Sequence, residues 1–308
     1  MLKILFTGIG SIGTRHLKNL HEVAQKRGLS ITVDALRSGK RELNAEVKAL
    51  INREYTSFKE LGDYDIAFIT NPTNLHFDTL CALRGKAKAF FIEKPIFDKA
   101  DLIIGECINE DALCYVAAPM RFCGTFIALK NRMKNLRVYS ARVICSSYLP
   151  EWRKGVDYRT VYSAHKEMGG GVTIDLIHEW DYLTDLFGVP KECFNLKGTY
   201  SDLEIDSDDL SVYIAKYDNL LAEVHLDYFG REYKRSIELF CPNGTVCADF
   251  GAGTLTLENG EVVDCHEDVN MRYIREINYF LDYFAGKTEN INPPSNALNV
   301  LKLTLGDM

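Results

Sequence analysis

Short apolar runs alternate with amphipathic stretches along the first 120 residues of the chain. The runs at 2–8 (LKILFTG), 64–70 (YDIAFIT) and 88–96 (KAFFIEKPI) are almost continuously apolar, which is typical of strands buried on both faces of a parallel sheet. Helical patterns separate them, and the first extends to about Arg27. Strands that alternate with helices predict a doubly wound, parallel α/β sheet in a first domain over residues 1–120.

The pattern changes after Arg121. The periodic segments there are a helical one at 122–135, strand-like ones at 136–149 and between 210 and 259, and helical ones at 270–286 and 294–306. Short turns such as Asp218-Asn219 join consecutive strands, which predicts a mostly antiparallel sheet. We therefore predict a second α/β domain over residues 121–308, whose helix at 294–306 could pack back on the first domain.

Composition is that of an ordinary globular protein. The chain has 308 residues, of which 46% are hydrophobic and 26% charged, enough for two domains with their own cores. The net charge of −7 argues against a nucleic-acid or membrane-surface partner. No apolar run approaches the roughly 20 residues of a membrane span, and the start of the sequence is not that of a leader peptide. The nine scattered cysteines indicate reduced thiols, so we expect a soluble, cytoplasmic protein.

The first apolar run leads into the sequence Gly8-Ile-Gly10-Ser11-Ile12-Gly13 and then into a helical pattern. This spacing between a strand and a helix is typical of a dinucleotide-binding turn. Gly8 permits the turn, Gly10 lets a pyrophosphate approach the backbone, and Gly13 allows close helix packing, while the helix N-terminus supplies amide donors. The alternative is a simple strand–turn–helix corner without a ligand.

The second strand-like run, 31–37, ends on a basic residue. An NAD site would place an acid at that end to hold the ribose hydroxyls, but Asp34 lies inside the run and Arg37-Ser38 follow it, with Lys40 and Arg41 close behind. Guanidinium groups grip phosphate oxygens in bidentate fashion, so we predict that NADP is preferred to NAD. The alternative is a basic helix start on the surface.

Polar residues follow the other predicted strands of the first domain. The carboxyl ends of parallel strands face the crevice in which open α/β sheets bind ligands. We therefore predict that the residues at these ends contact the cofactor: Asn71, Pro72, Thr73, His76, Glu93, Lys94 and Arg121. For Lys94 the alternative is a structural ion pair with Glu93.

Three glycines at 169–171 precede a segment that carries Asp175 and His178. In one continuous helix these two residues and Tyr182 share a face, beside glycines that would admit a ligand. Imidazole, carboxylate and the Lys94 amine are groups that can transfer or direct a proton at a reacting oxygen. A packed helix with a histidine satisfied in the core is the alternative. A zinc motif is not expected, because Tyr182 stands where His-Glu-x-x-His requires histidine.

A polar loop at 148–171 is rich in aromatic and basic residues. Aromatic rings stack on sugar C–H surfaces, while Arg and His bind hydroxyl, carboxylate or phosphate oxygens. We therefore predict substrate contacts from Trp152, Tyr158, Arg159, Tyr162 and His165. An interface or a lid is the alternative for this loop.

Together the glycine turn, Asn-Pro-Thr-x-x-His at 71–76, Glu-Lys-Pro at 93–95 and Gly-Gly-Gly with Asp-x-x-His at 169–178 resemble the Gfo/Idh/MocA family of glucose–fructose oxidoreductase and inositol dehydrogenase. The resemblance implies a Rossmann domain followed by a domain with a large, open sheet. It also implies nicotinamide-dependent oxidation or reduction, in which Asp175 and His178 face the nicotinamide and His178 or Lys94 transfers the proton. Many relatives separate the aspartate and the histidine by one residue more, which leaves the exact assignment of these positions open.

The same resemblance implies that open sheets pair face to face, so we expect a homodimer or homotetramer. The loop at 148–171 resembles that of members linked to surface-polysaccharide and acidic-sugar metabolism, and a sugar or sugar derivative is the expected substrate. Two rivals are a reductase of a non-sugar carbonyl, imine or conjugated double bond, and a regulator that binds dinucleotide without turnover. The presence of Lys94, Asp175 and His178 argues against the regulator.

Overall fold

The computed structural model describes residues 1–39 and 42–306 and divides the chain into two compact units. The first comprises Met1–Pro119 and Asn270–Leu298, and the second comprises Met120–Val269 with the chain from Asn299 onward. The break near residue 120 lies one residue from the predicted boundary. The predicted division differs from the structure in one respect, since residues 270–298 belong to the first unit.

The strands of the described residues are β1 (Leu2–Thr7), β2 (Ile31–Leu36), β3 (Arg53–Tyr55), β4 (Tyr64–Ile69), β5 (Ala87–Ile92), β6 (Leu113–Val116), β7 (Ser140–Tyr148), β8 (Glu192–Gly198), β9 (Leu210–Lys216), β10 (Leu221–Asp227), β11 (Phe229–Cys241), β12 (Gly244–Asp249), β13 (Thr254–Thr256) and β14 (Val262–Asp264). The helices are α1 (Ser11–Lys26), α2 (Ala45–Lys48), α3 (His76–Leu83), α4 (Ile104–Cys107), α5 (Gly124–Met133), α6 (Val172–Asp175), α7 (His178–Phe187), α8 (Asn270–Phe284) and α9 (Pro294–Leu305). Across this part of the chain, no helix combines the length and the apolar composition that a bilayer crossing requires.

The first unit contains a six-stranded sheet in the order β3-β2-β1-β4-β5-β6, with every neighbouring pair parallel. The apolar runs predicted as its strands are buried on both faces. On one face Phe6, Phe68 and Phe91 stack in sequence, with ring centroids 4.5 and 4.9 Å apart. Phe280 of α8 meets Phe91 edge-on at 5.3 Å. This aromatic contact explains why residues far along the chain complete the first unit. The predicted doubly wound parallel sheet is confirmed.

The second unit contains an eight-stranded sheet in the order β14-β13-β12-β11-β7-β10-β9-β8. Its neighbouring pairs are antiparallel except for β7 and β10, which run parallel. The predicted mostly antiparallel sheet is therefore confirmed. Helix α7 covers one face, where Trp180 packs edge-on against Tyr213 of β9 with ring centroids 5.1 Å apart, while the other face carries exposed residues such as Arg142 and Ile214.

Candidate functional site

The glycine turn of the first unit is a tight corner between β1 and α1. A Cβ on Gly13 would lie 2.4 Å from the carbonyl oxygen of Gly8, whereas a Cβ on Gly10 would meet nothing within 4 Å. No side chain caps the start of α1, and the first amides of a helix lack intrahelical acceptors. Bare backbone at Gly10 and the amides of Ser11 and Ile12 therefore fit the pyrophosphate of a dinucleotide.

The loop after β4 is held by its own side chains. Asn71 donates to Thr79 Oγ1 at 2.8 Å. His76 is 1% exposed, and its ring nitrogens lie 3.0 Å from the Asn71 carbonyl and 3.1 Å from the Ile96 carbonyl. Burial lowers the pKa of His76, against the opposing effect of its two carbonyl contacts, and the ring bridges the two loops. The predicted cofactor residues Pro72 and Thr73 lie on the outer part of the same loop, exposed and half-buried respectively.

Lys94 follows a buried carboxylate that α1 holds in place. Glu93 Oε1 lies 2.5 Å from His16 Nε2, and Glu93 Oε2 accepts the backbone N–H of Lys94 at 3.1 Å. Burial alone would raise the pKa of Glu93, but the hydrogen bond and charge of His16, with the charge of Lys94, outweigh it and lower the pKa. His16 Nδ1 has no hydrogen-bond partner among the described residues. The sequence analysis missed His16, whose signal was its place three residues after Gly13.

The end of β2 carries Arg37, as predicted, and this arginine donates to Glu54 Oε2 at 2.6 Å. The carboxylate of Asp34 accepts hydrogen bonds from Asn52 and from the hydroxyl of Tyr64. Ser38 is exposed beside Arg37. Lys40 and Arg41, the other basic residues of the predicted phosphate site, lie outside the described residues.

The second unit contains a cavity of about 430 Å³ at one end of its sheet. The predicted residues Asp175, His178 and Trp152 line it, together with Tyr148, Arg231 and Tyr233, which the sequence analysis did not select. His178 is half-buried and Asp175 is 7% exposed. The structure thus brings a carboxylate, an imidazole and an indole to the wall of one cavity.

Two tyrosines hold Asp175. Tyr162 donates to Oδ1 and Tyr228 donates to Oδ2, each at 2.6 Å. Burial, and after it the charge of Asp175, raises the pKa of both phenols. Both therefore remain protonated donors throughout the physiological range. Tyr162 was predicted as a substrate contact, whereas Tyr228 was missed because it stands alone between two strands.

The predicted single helix through Asp175 and His178 is wrong, because α6 ends at Asp175 and α7 begins at His178. Tyr182 does not share their face: it is fully buried, and its ring contacts Phe126 and Phe250. Both catalytic candidates nevertheless line the same cavity.

Two glycines of the triplet, Gly170 and Gly171, serve packing rather than ligand access. A Cβ on Gly170 would lie 2.1 Å from the carbonyl oxygen of Tyr162, and one on Gly171 would lie 2.4 Å from a carboxylate oxygen of Asp208. Asp208 also accepts from the amide and hydroxyl of Thr173 in α6. Bare backbone at 170–171 therefore lets the preceding loop and Asp208 close against α6.

The loop at 148–171 contains four short 3-10 helices and divides its predicted residues between two environments. Trp152 lines the cavity and donates to Ser147 Oγ at 3.0 Å. Arg159 forms ion pairs with Asp157 and Glu204, Tyr158 accepts the amide of Glu204, and His165 contacts the Arg159 carbonyl. These last three predicted residues stabilise the loop and do not line the cavity.

Arg121, a predicted cofactor residue, is engaged within the second unit. Only 8% exposed, it donates to the carboxylates of Asp181 and Asp185 on α7. Arg121 therefore helps to fix the position of α7. The part of the chain that the structure describes contains no group of His, Cys, Asp and Glu side chains suited to a metal ion.

Residues 2–116 match the model of Gfo/Idh/MocA, described as an oxidoreductase family with an NAD-binding Rossmann fold. No curated protein matches the chain by sequence.

Solved structures align with nearly the whole chain. UDP-N-acetylglucosamine 3-dehydrogenase GnnA from Acidithiobacillus ferrooxidans has a TM-score of 0.75 at 21% identity, covering 99% of this chain and 96% of its own. Levoglucosan dehydrogenase, in complex with NADH and levoglucosan, has a TM-score of 0.82 at 14% identity, with coverages of 98% and 95%. The WlbA dehydrogenase from Chromobacterium violaceum, in complex with NADH and UDP-GlcNAcA, has a TM-score of 0.79 at 17% identity, with coverages of 99% and 92%. At these identities the likeness shows a shared fold.

The two tyrosines of Asp175 give a testable expectation. Tyr228→Phe removes one hydrogen-bond donor from a buried carboxylate, which we expect to cost about 1–3 kcal/mol of stability and to lower the melting temperature by several degrees. Tyr217→Phe is the matched control, because Tyr217 is buried and its hydroxyl has no partner among the described residues. Calorimetry of both variants checks this, and an equal loss in the control would show that the bond to Asp175 is not the cause.

Proposed function

We propose, from the match of residues 2–116 to the Gfo/Idh/MocA oxidoreductase model, that the chain transfers a hydride between nicotinamide and a hydroxyl- or carbonyl-bearing carbon of a sugar or sugar derivative. The observation that carries the proposal is the cavity of the second unit, where Asp175 and His178 lie on one wall. Three of the similar structures are named for UDP-N-acetylglucosamine or are in complex with levoglucosan or UDP-GlcNAcA, which are sugars or sugar derivatives. The loop at 148–171 favours a role in surface-polysaccharide or acidic-sugar metabolism.

Residues of the chain must accept or supply one proton when a hydride moves to or from bound nicotinamide. When a secondary alcohol is oxidised, its carbon loses a hydride and its oxygen loses a proton. His178 or Lys94 takes that proton, and in the reverse direction returns it to the carbonyl oxygen. A base at this position is worth about 10²–10⁴-fold in rate.

Asp175 is suited to orient the substrate or the imidazole of His178 rather than to transfer a proton. With both oxygens bonded by tyrosines, its carboxylate is fixed in direction and stays a hydrogen-bond acceptor. A substrate hydroxyl or the imidazole of His178 can donate to the remaining lone pairs. The ring of Trp152, 39% exposed on the cavity wall, offers a stacking surface for a hydroxylated ring.

The first prediction of this proposal concerns proton transfer. Lys94→Ala and His178→Ala should each lower kcat by about 10²–10⁴-fold while leaving the dissociation constant for the dinucleotide within about threefold. Steady-state assays at 340 nm with sugars, uronic acids, nucleotide sugars and cyclitols measure kcat, and fluorescence titration measures binding. A variant that loses cofactor affinity but keeps its turnover at saturation would contradict the assigned role. Activity confined to non-hydroxylated carbonyls or polyenes would refute the sugar substrate.

We also propose that NADP is preferred to NAD. Arg37 directly follows β2 and Ser38 is exposed beside it, while Asp34, the one acid in that strand, is engaged by Asn52 and Tyr64. A 2'-phosphate would compete with Glu54 for the Arg37 guanidinium.

Arg37→Asp should therefore weaken NADPH binding by about tenfold or more and leave NADH binding nearly unchanged. Glu54→Gln should tighten NADPH binding, since it removes the competing carboxylate. Fluorescence titration at fixed ionic strength measures both cofactors. Equal affinities in the unmodified protein, or a preference that survives in Arg37→Asp, would refute this proposal.

We also propose that the chain forms a homodimer or homotetramer. Phe194 and Leu196 of β8 are 69% and 78% exposed, and Ile214, the partner of Phe194 on β9, is 44% exposed. Adjacent exposed apolar side chains on the uncovered face of a sheet are typical of a protein interface.

Phe194→Lys with Leu196→Lys should therefore lower the molar mass measured by light scattering to that of a smaller assembly. The single change Leu29→Lys, at a comparably apolar but isolated surface position 38% exposed, serves as the control. A monomeric unmodified protein, or an unchanged mass in the double variant, would contradict pairing through this face.

A further inference from the structure

Strand β11 leaves its register with β7 at one place. Phe229 lies opposite Tyr148 and Lys234 lies opposite Ser146, so the four residues 230–233 face only Ser147. A bulge of this kind breaks the pairing and redirects side chains, often beside a binding site. Gly230, Arg231 and Tyr233 of the bulge all line the cavity.

The bulge is built by specific contacts. Asp227 Oδ1 accepts the amide of Phe229 at 3.1 Å and that of Gly230 at 2.7 Å. A Cβ on Gly230 would lie 1.8 Å from Ser146 Oγ, so a larger residue there would displace the Ser146 side chain. These constraints fix the backbone that presents Arg231.

Arg231 presents a positive charge without a carboxylate partner among the described residues. Its guanidinium carbon lies 3.7 Å from the ring centroid of Tyr148, so the ring face holds the head group in place. The other arginine of the cavity, Arg235, is neutralised by Glu179 at 2.7 Å. The N–H groups along the edges of the Arg231 guanidinium are left to bind an acceptor from solution.

We propose that Arg231 binds an oxyanion of the substrate, either a sugar carboxylate or a phosphate of a sugar nucleotide. The inference rests on the proposed function, since it places the anion on the molecule whose carbon reacts. Glu151 also lines the cavity and is exposed, so selection of an anion depends on direct contact with the guanidinium rather than on the overall charge of the cavity. Arg231 is thus a specificity-determining residue, and the bulge is the element that supplies it.

Binding, measured by isothermal titration calorimetry on the full chain with saturating reduced dinucleotide, tests the proposal. The probes are two matched pairs: D-glucuronate with D-glucose, and UDP with uridine. Arg231→Met should weaken the binding of at least one of the two anions by about 10- to 100-fold. The dissociation constant of its neutral counterpart should change less than twofold. Arg231→Lys should keep part of the affinity, because it retains the charge and loses the planar fork.

Arg137→Met is the matched control. Arg137 is also exposed and also stacks on a tyrosine, with its guanidinium carbon 5.4 Å from the Tyr139 ring centroid, but it does not line the cavity. The Arg137→Met variant should bind all four probes with the affinities of the unmodified protein.

The outcomes of the titrations distinguish a carboxylate ligand from a phosphate ligand. A loss confined to glucuronate identifies a carboxylate ligand, and a loss confined to UDP identifies a phosphate. If the unmodified protein binds neither anion better than its neutral partner, or if Arg231→Met weakens charged and neutral probes alike, the proposal is overturned. Titration does not depend on turnover, so anion binding through Arg231 can be confirmed even if hydride transfer is refuted. Conversely, the assays can confirm hydride transfer even if Arg231 binds no anion.

Discussion

The buried ion pair between Glu179 and Arg235 is the constraint on which the cavity depends. Arg235 donates from Nε and Nη2 to the two oxygens of Glu179, at 2.7 and 3.0 Å, and Glu179 is completely buried. Burial opposes the charge of Arg235, but Glu179 keeps its pKa well above the usual value. The pair joins the residue after His178 to the strand directly beyond the bulge at 230–233. Two walls of the cavity, on α7 and β11, are thereby held in one fixed relation.

Such a pair is better understood as a geometric device than as a source of stability. Replacing both partners by apolar groups is often neutral or stabilising, whereas loss of one partner leaves a buried charge and costs about 3–5 kcal/mol. Asp175 follows the same logic, since two phenol donors satisfy a carboxylate that would otherwise be costly to bury. In both cases the chain accepts a buried charge and surrounds it with directed donors, which leaves His178 and Asp175 in defined positions.

The sequence predicted the parallel sheet well, because strands such as β1, β4 and β5 are buried on both faces and therefore read as unbroken apolar runs. It missed β3, β8 and β14, which are short or lie at a sheet edge with mixed exposure. The glycine turn and the pair Asp175 and His178 were accessible from local spacing. The break between α6 and α7 was not, because it falls at Leu176 and Ile177, where no glycine or proline marks a helix end. Arg231 was inaccessible for a similar reason: a bulge is a property of two strands in register, not of either one alone.

The parallel pairing of β7 with β10 has a topological consequence for the site. Arg142 and Glu223, which face each other across these strands, are 81 residues apart in the sequence. The intervening chain includes the loop at 149–168, α6 and α7, so the residues around Asp175 and His178 lie in a long crossover whose two ends are fastened at the centre of the sheet. Pairing of strands so far apart in sequence carries a loop-closure cost, so we expect the crossover to close after the local hairpins of the sheet have formed. The two ends of the crossover lie side by side in β7 and β10, so the segment that carries Asp175 and His178 is anchored at both ends in one sheet.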